Sequence, residues 1–511
     1  MNQTFDAVSR SVMSGALAGI AEEMGMLLIR GAYSSNIKER RDCSTALFDR
    51  HGRMIAQAAH IPVHLGAMPQ VVATVREMDP RPGDAFVVND PYSGGSHLPD
   101  VTMVSPIVRE GTIIGYTASR AHQNDIGGSR PGSMPSGSRE IYQEGLIIPP
   151  VRLARGGEIM DDVLRLILAN VRTPYIRKGD LYAQLAANKI GETRFNELVD
   201  RRGLDTVEAA CADILDYTER RTREAISALP DGTYTAESCL EGDGVTDDDF
   251  PIRVSLTVDG DSLRIDFTGT SAAAAGNINC PLAVTRSSCY FAVQTVLAKD
   301  VPIKSAGTYA PISVEAPVGC LVNAQHPSAI VAGNVETSQR IADTVLEALS
   351  HVADVSAPGM GTTNVLVLGG RTWTYVETLG GGQGAHSCGA GSSGVHVGIT
   401  NTLNTPIESL ELEYPLRIEQ YELAYGSGGE GAHTGGDGLI RTIRLQEPAS
   451  VSLLTDRRTY APGGAESGES ARTGSNLING QPVAAKTNQE LDHGDVVTVV
   501  TPGGGGHGAA N

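Results

Sequence analysis

Apolar positions in the first thirty residues fall at three- and four-residue steps: Phe5, Val8, Val12, Ala16, Ile20, Met24 and Leu27. That period predicts a long amphipathic helix ending near Gly31. Past a polar stretch the period shortens to two. Ser44–Phe48 reads as a strand, Asp49–Gly52 as a turn, and Arg53–Ala56 as the hairpin partner. A short helix fits Met68–Met78. Two β-rich runs, Val101–Val108 and Thr112–Ala118, flank Arg109-Glu110-Gly111 and predict a second hairpin. Residues 160–229 read as mostly helical, with Val207, Cys211, Ile214, Thr218 and Ala225 on one helix face. Asp205 and Glu208 resemble a capping box there, and Pro230-Asp231-Gly232 ends the helix. Strands follow, joined by an Asp-Gly turn, then a buried helix at 287–298. The strands PISVEA and CLVNAQ and a helix at 336–352 come next. Glycine clusters at 380–384, 426–431, 435–438 and 503–508 punctuate the remainder. They read as tight turns between strands, or as a backbone-amide nest for an anion.

This order predicts an α+β, multidomain chain. An N-terminal mixed α/β region with a metal-site hairpin covers 1–158, and a helical segment covers 159–231. An α+β domain covers 232–358, and a glycine-rich, β-rich C-terminal domain covers 359–511. A length of 511 residues agrees with two to four domains. The net charge of −19 comes without a basic stripe, so neither nucleic acid nor an anionic membrane is expected as partner. A single Trp argues against a stacking platform for sugars. Seven Cys with no CxxC fit a reduced, cytoplasmic chain. The N-terminus shows no secretory apolar core, and no long uncharged apolar run predicts a membrane span.

Candidate chemistry gathers at the second hairpin. Folded symmetrically about position 110, it sets Asp100 opposite Arg120 and position 98 opposite His122. His97, Asp100 and His122 then meet at its open end, since neighbouring strands lie about 4.8 Å apart. Two imidazoles and a carboxylate are a usual ligand set for zinc or manganese. Asp125 is close by as a further ligand or base. Asn36, Lys38, Glu39, Arg40 and Asp42 form a polar patch that is either a solvated turn or part of a site. One or both of His60 and His64 read as structural, and Cys43 as a small buried residue rather than a reactive thiol. Residues 129–150 form a Pro/Gly/Ser-rich loop beside the hairpin, carrying Gln143 and Glu144. No phosphate loop, dinucleotide fingerprint or nucleophile elbow is present.

Several stretches together resemble the hydantoinase B/oxoprolinase family. They are RGAYSSNIKERRDCSTALFD, AQAAHIPVHLGAMP, VNDPYSGGSHLPDVTMVSPI, AHQNDIGG and QEGLIIPP, followed by DFTGT, GNVETSQR, NTLNTPIE and TPGGGGHG. The resemblance runs from about residue 5 to 508. It implies a B-type subunit of an ATP-dependent enzyme that opens a hydantoin, 5-oxoproline or lactam ring. A hydantoinase A-like partner would bind ATP and phosphorylate the amide, in a hetero-oligomer such as A2B2. A divalent zinc or manganese ion at His97, Asp100 and His122 would activate water, with Asp42 as a fourth ligand by the same resemblance. Asp125 or Glu144 would be the general base, and Asn36, Arg40 and His64 would contact substrate. The rival implied reading is a subunit of an ATP-dependent ketone carboxylase. The chain departs from the family pattern at VHVGITNT, where Gly398 replaces a second His, and at Gly426 and Thr434. These departures leave the ring substrate open.

Overall fold

The computed structural model describes residues 5–59, 61–64, 66–297 and 304–510. His60, and residue 298 at the end of the helix expected at 287–298, lie outside that range. The fold is mixed α+β, with several sheets and helices. The first sheet has seven strands: β1 (Cys43–Asp49), β2 (Met54–Ala59), β3 (Ala85–Val88), β4 (Asp100–Arg109), β5 (Thr112–His122), β6 (Val151–Arg155) and β7 (Glu158–Ile159). Their order across the sheet is β2-β1-β5-β4-β3-β6-β7.

The helix Ala7–Gly31 packs on this sheet and on the helix Pro174–Arg202. Asp6 caps it, its carboxylate accepting from the Ser9 amide at 2.6 Å. Leu17, Met24 and Leu28 are fully buried. Val8, Val12 and Leu27, expected on the buried face, are exposed instead, because the helix is apolar nearly all round. It is long and apolar enough by composition to cross a membrane, contrary to expectation, but core helices share that property. Close packing needs Gly191: a Cβ there would lie 2.4 Å from the Met24 sulfur.

The β4–β5 hairpin forms, with a different register from the symmetric one expected. Glu110 and Gly111 both take positive φ, 48° and 80°, which makes the turn two residues long. A bulge between Ile107 and Val108 then shifts the pairing, so Asp100 faces His122 and Thr102 faces Arg120. Register thus brings the two candidate ligands directly opposite each other.

The helices Asp161–Ala169, Pro174–Arg202 and Leu204–Ser227 fill the middle of the chain. Asp205 sits inside the first turn of the last one, not at its cap, because Gly203 occupies the cap position with φ 83°. A four-stranded sheet follows from Gly232, and the helix Ser338–Leu349 packs on it. CLVNAQ is not a strand; Cys320 alone makes an isolated bridge, to Ala272. Two more sheets of four and five strands complete the fold.

Apart from the turn at Tyr425 and Gly426, closed by the Ser427 amide donating to the Ala424 carbonyl, the glycine clusters do not act as tight turns. Of the cluster residues only Gly426 and Gly508 have positive φ. The amides of Gly503 and Gly506 donate to Arg472 and Glu469, and those of Gly504 and His507 donate to Gly436 and His433. Donors return to the same neighbour every third residue, the repeat of a polyproline II helix. Extended glycine segments therefore bond to one another in several directions. A Cβ at Gly505 would lie 1.8 Å from the Gly463 carbonyl oxygen, so side chains are excluded from the bundle's interior.

Candidate metal centre

Asp100 opens β4 and His122 closes β5, while His97 lies in the turn just before β4. That turn is held by Asn89, whose amide donates to the carbonyls of Leu98 at 2.8 Å and Leu146 at 2.9 Å. Gly95 brings the chain close to itself, since a Cβ there would lie 2.6 Å from the Asn89 carbonyl oxygen. These constraints point three donor atoms at one another. His97 Nε2, His122 Nδ1 and Asp100 Oδ1 form a triangle with all three sides 3.1 Å. Its corners can share one ion at bond lengths of about 2.1 Å. A proton between any two of these atoms would leave the third facing lone pairs, whereas a cation satisfies all three. The donor set therefore fits a divalent transition metal, and among the described residues this is the one such cluster of three.

Supporting contacts fix the carboxylate. Asp100 Oδ2 accepts from the Ser96 hydroxyl at 2.5 Å, which leaves Oδ1 for the triangle. His64 Nε2 stands 3.6 Å from the same Oδ2, and its Nδ1 pairs with the Ser44 hydroxyl at 2.9 Å. All three triangle residues are buried. Burial would raise the Asp100 pKa, but His97, His122 and His64 around it hold it well below the usual carboxylate range. Burial lowers the pKa of His97. For His122 burial acts in the same direction, yet the hydrogen bond to Asp100 and the charges of Asp42 and Asp100 outweigh it and raise the pKa. The two rings thus differ in proton affinity beside one carboxylate, an arrangement common at functional sites.

A small pocket opens onto the triangle. Asn36, Arg40, Asp42 and His64 line it together with His97, Asp100 and His122. Asp42 does not join the triangle, but the His122 amide donates to its carbonyl at 3.0 Å, which brings its chain alongside β5. Asn36 donates to the His122 carbonyl at 3.0 Å and to the Asp42 carboxylate at 3.4 Å.

The two expected bases lie elsewhere. Asp125 is fully buried and accepts from the amides of Gly127, Gly132 and Arg172 and from the Arg172 guanidinium, at 3.0–3.1 Å. Glu144 is fully buried and accepts from the Ser138 hydroxyl and the Ile330 and Val331 amides, at 2.8–3.1 Å. Burial pushes its pKa up to about 8. Neither lines the pocket, because donors from distant loops claim their oxygens. Both carboxylates organise loops around the site.

The far wall of the pocket was not anticipated as site-forming. It comes from the second half of the chain: Asn334, Thr363, Thr378, Thr400 and Thr402, with apolar Val335, Val365, Val376 and Ile399. The available signal was the stretches GNVETSQR and VHVGITNT, which stand out as motifs but carry no metal-ligand spacing. Asn334 and Val335 lie in a short π-helical turn, Gly333–Thr337, a conformation frequent at functional sites. At Gly398 a Cβ would lie 2.0 Å from Gln339 Oε1, so the Gln339 side chain occupies the adjoining space.

Comparison with known proteins agrees with this architecture. A crystal structure of the ATP-dependent caprolactamase from Pseudomonas jessenii superposes with a TM-score of 0.91 at 29% identity, covering 99% of this chain and 92% of that one. A nucleotide-free acetone carboxylase structure shares the fold with a TM-score of 0.88 at 18% identity, covering 98% of this chain and 75% of that one. In sequence, 5-oxoprolinase 1 of Arabidopsis thaliana is 35% identical over 99% of this chain, which spans only 42% of the plant protein. The profile of the hydantoinase B/oxoprolinase family matches residues 6–510, and the chain belongs to that family.

Proposed function

We propose that this chain is the B-type subunit of an ATP-dependent cyclic amide hydrolase and carries its ring-opening site. The observation that carries the reading is the 3.1 Å triangle of His97, Asp100 and His122 beside a pocket with an apolar wall. The ATP dependence of the caprolactamase, and the absence of a phosphate loop from this sequence, support an A-type partner that binds ATP. An amide is a poor electrophile, so phosphorylation of its oxygen by the partner would make the carbon open to attack by water.

His97 Nε2, His122 Nδ1 and Asp100 Oδ1 would hold the ion. Ser96 and His64 keep the carboxylate turned toward it. A divalent ion supplies Lewis acidity and makes water acidic enough to lose a proton near neutral pH. Asp42 is the other carboxylate lining the pocket, and we assign it the proton released as the ring opens, in place of Asp125 and Glu144. The apolar wall formed by Val335, Val365, Val376 and Ile399 suits the methylenes of a ring and excludes water.

The test is reassembly with an A-type subunit and an assay of ring opening over a panel of lactams and hydantoins. ATP-dependent, metal-dependent ring opening is expected. The likeness to acetone carboxylase keeps a second outcome in view. Product that forms only with bicarbonate and a ketone would assign the chain to carboxylation and overturn the hydrolase reading.

A further inference from the structure

The largest fully buried side chains of this protein are five arginines, Arg40, Arg120, Arg177, Arg340 and Arg441. Three form ion pairs, Arg177 with Asp180, Arg340 with Asp456 and Arg441 with Glu377. Pairing is the rule for a buried charge, which is costly without a counter-charge. Arg40 fastens the N-terminal region to the Val376 carbonyl and to the hydroxyls of Thr378 and Thr402. Arg120 has fewer partners, and it stands two residues along the hairpin from the triangle.

In β5, Arg120 precedes His122 by two residues, and it faces Thr102 of β4, two residues after Asp100. Residues two apart on a strand share a face and lie about 7 Å apart. Arg120 is therefore on the side of the hairpin that carries Asp100 and His122. Its Nε donates to the Thr102 hydroxyl at 2.7 Å, and its Nη2 reaches the Gly94 carbonyl at 3.5 Å. Gly94 lies just before Ser96 and His97, so the guanidinium underlies the turn that presents them. Nη1 is buried with no partner, and among the described residues this guanidinium makes no ion pair. Both oxygens it touches are neutral, and a neutral amide would satisfy them as well. Its hydrogen bonds therefore do not account for its charge. Burial pushes the Arg120 pKa down to about 10, and the Asp100 carboxylate opposes that fall. Arg120 thus stays charged at neutral pH, and Asp100 is shared by two cations once an ion sits on the triangle.

We propose that Arg120 is a positioning residue that acts on the metal centre through Asp100: its unbalanced charge draws electron density from that carboxylate. The ion on the triangle is then held less tightly and is the stronger Lewis acid. The inference rests on reading the triangle as a metal site. A purely structural role predicts the opposite sign. If Arg120 only braced the turn at Gly94, its removal would loosen Ser96 and His97 and weaken metal binding.

The experiment loads the full chain with cobalt(II) and compares wild type with Arg120→Met, Arg120→Gln and Arg120→Lys. Affinity is measured by competition with a chelator. The acidity of the loaded centre is read as the pH at which its visible absorption changes. Arg120→Met and Arg120→Gln should bind cobalt about tenfold tighter, since a repelling charge about 7 Å away is gone. Their absorption midpoint should move up by about one pH unit, because a less electron-poor ion acidifies its ligands less. Arg120→Lys keeps the charge and should stay near wild type in both readouts. Weaker binding in the neutral variants, or either readout unmoved, overturns the proposal. Should neither neutral variant fold, Thr102→Asp takes their place. It sets a carboxylate on Arg120 and cancels the charge where it stands, so the same tightening and the same upward shift are expected. No change in that variant overturns the proposal. A wild-type chain that takes up no cobalt overturns the metal reading and this inference with it. Uptake by wild type with unresponsive variants overturns the role of Arg120 alone.

Discussion

Asp100 divides its two oxygens between different tasks, Oδ1 toward the imidazoles and Oδ2 toward Ser96. Removing the Ser96 hydroxyl should free the carboxylate to rotate. Ser96→Ala is expected to weaken metal binding by about tenfold to a hundredfold while the fold stays intact, measured by competition with a chelator. His97→Ala should lose the ion outright, taking elemental analysis from about one ion per chain to none. A His97→Ala protein that keeps a full complement of metal would show that the triangle is not the binding site. Glu144 carries a separate, pH-dependent consequence. Its folded pKa is about 8 against a reference of 4.5. The stability it contributes is therefore complete below about 4.5 and is lost as pH rises through about 8. Melting temperature should fall between about pH 5 and pH 8, and Glu144→Gln should flatten that fall. An identical slope in the variant would mean that Glu144 is already ionised at neutral pH, its three donors outweighing burial.

At the scale of elements, the hairpin was legible because β4 and β5 are apolar β-rich runs around a short connection. Its register was not, because a bulge at Ile107 and Val108 has no sequence signature. The polar patch at 36–42 was visible as a patch, but its place in the pocket depends on β1 pairing with β5, a contact between residues far apart in sequence. The far wall was hidden for the same reason: Asn334 and Thr402 reach the triangle only through the assembled fold. That Asp125 and Glu144 lie outside the pocket lining was not legible, because acidic residues in motifs look alike whether they face a pocket or cap backbone amides. The glycine clusters misled because glycine serves both turns and close packing, and only the three-residue repeat of bonds between distant segments distinguishes them. That bundle makes a paired prediction. Gly505→Ala would drive a Cβ against the Gly463 carbonyl, whereas a Cβ at Gly463 meets nothing within 4 Å. Thermal denaturation should show Gly505→Ala destabilised by about 3 kcal/mol or more and Gly463→Ala close to wild type. Equal stability of the two would mean that the segments are not packed as described.

For the molecule as a whole, the proposed function divides one reaction between two chains, with ATP used on the partner and the ring opened here. The chain alone should not hydrolyse ATP. The measurement that tests the division most directly is the ratio of phosphate released to ring-opened product, in complexes reassembled with wild-type or His122→Ala protein. In the wild type the ratio should sit near one. With His122→Ala, in a complex shown to assemble, phosphate release should continue while product falls by about a thousandfold or more, so the ratio rises steeply. Wild-type product formation by His122→Ala, or an equal fall of phosphate and product with the ratio unchanged, would contradict a ring-opening site at His97, Asp100 and His122.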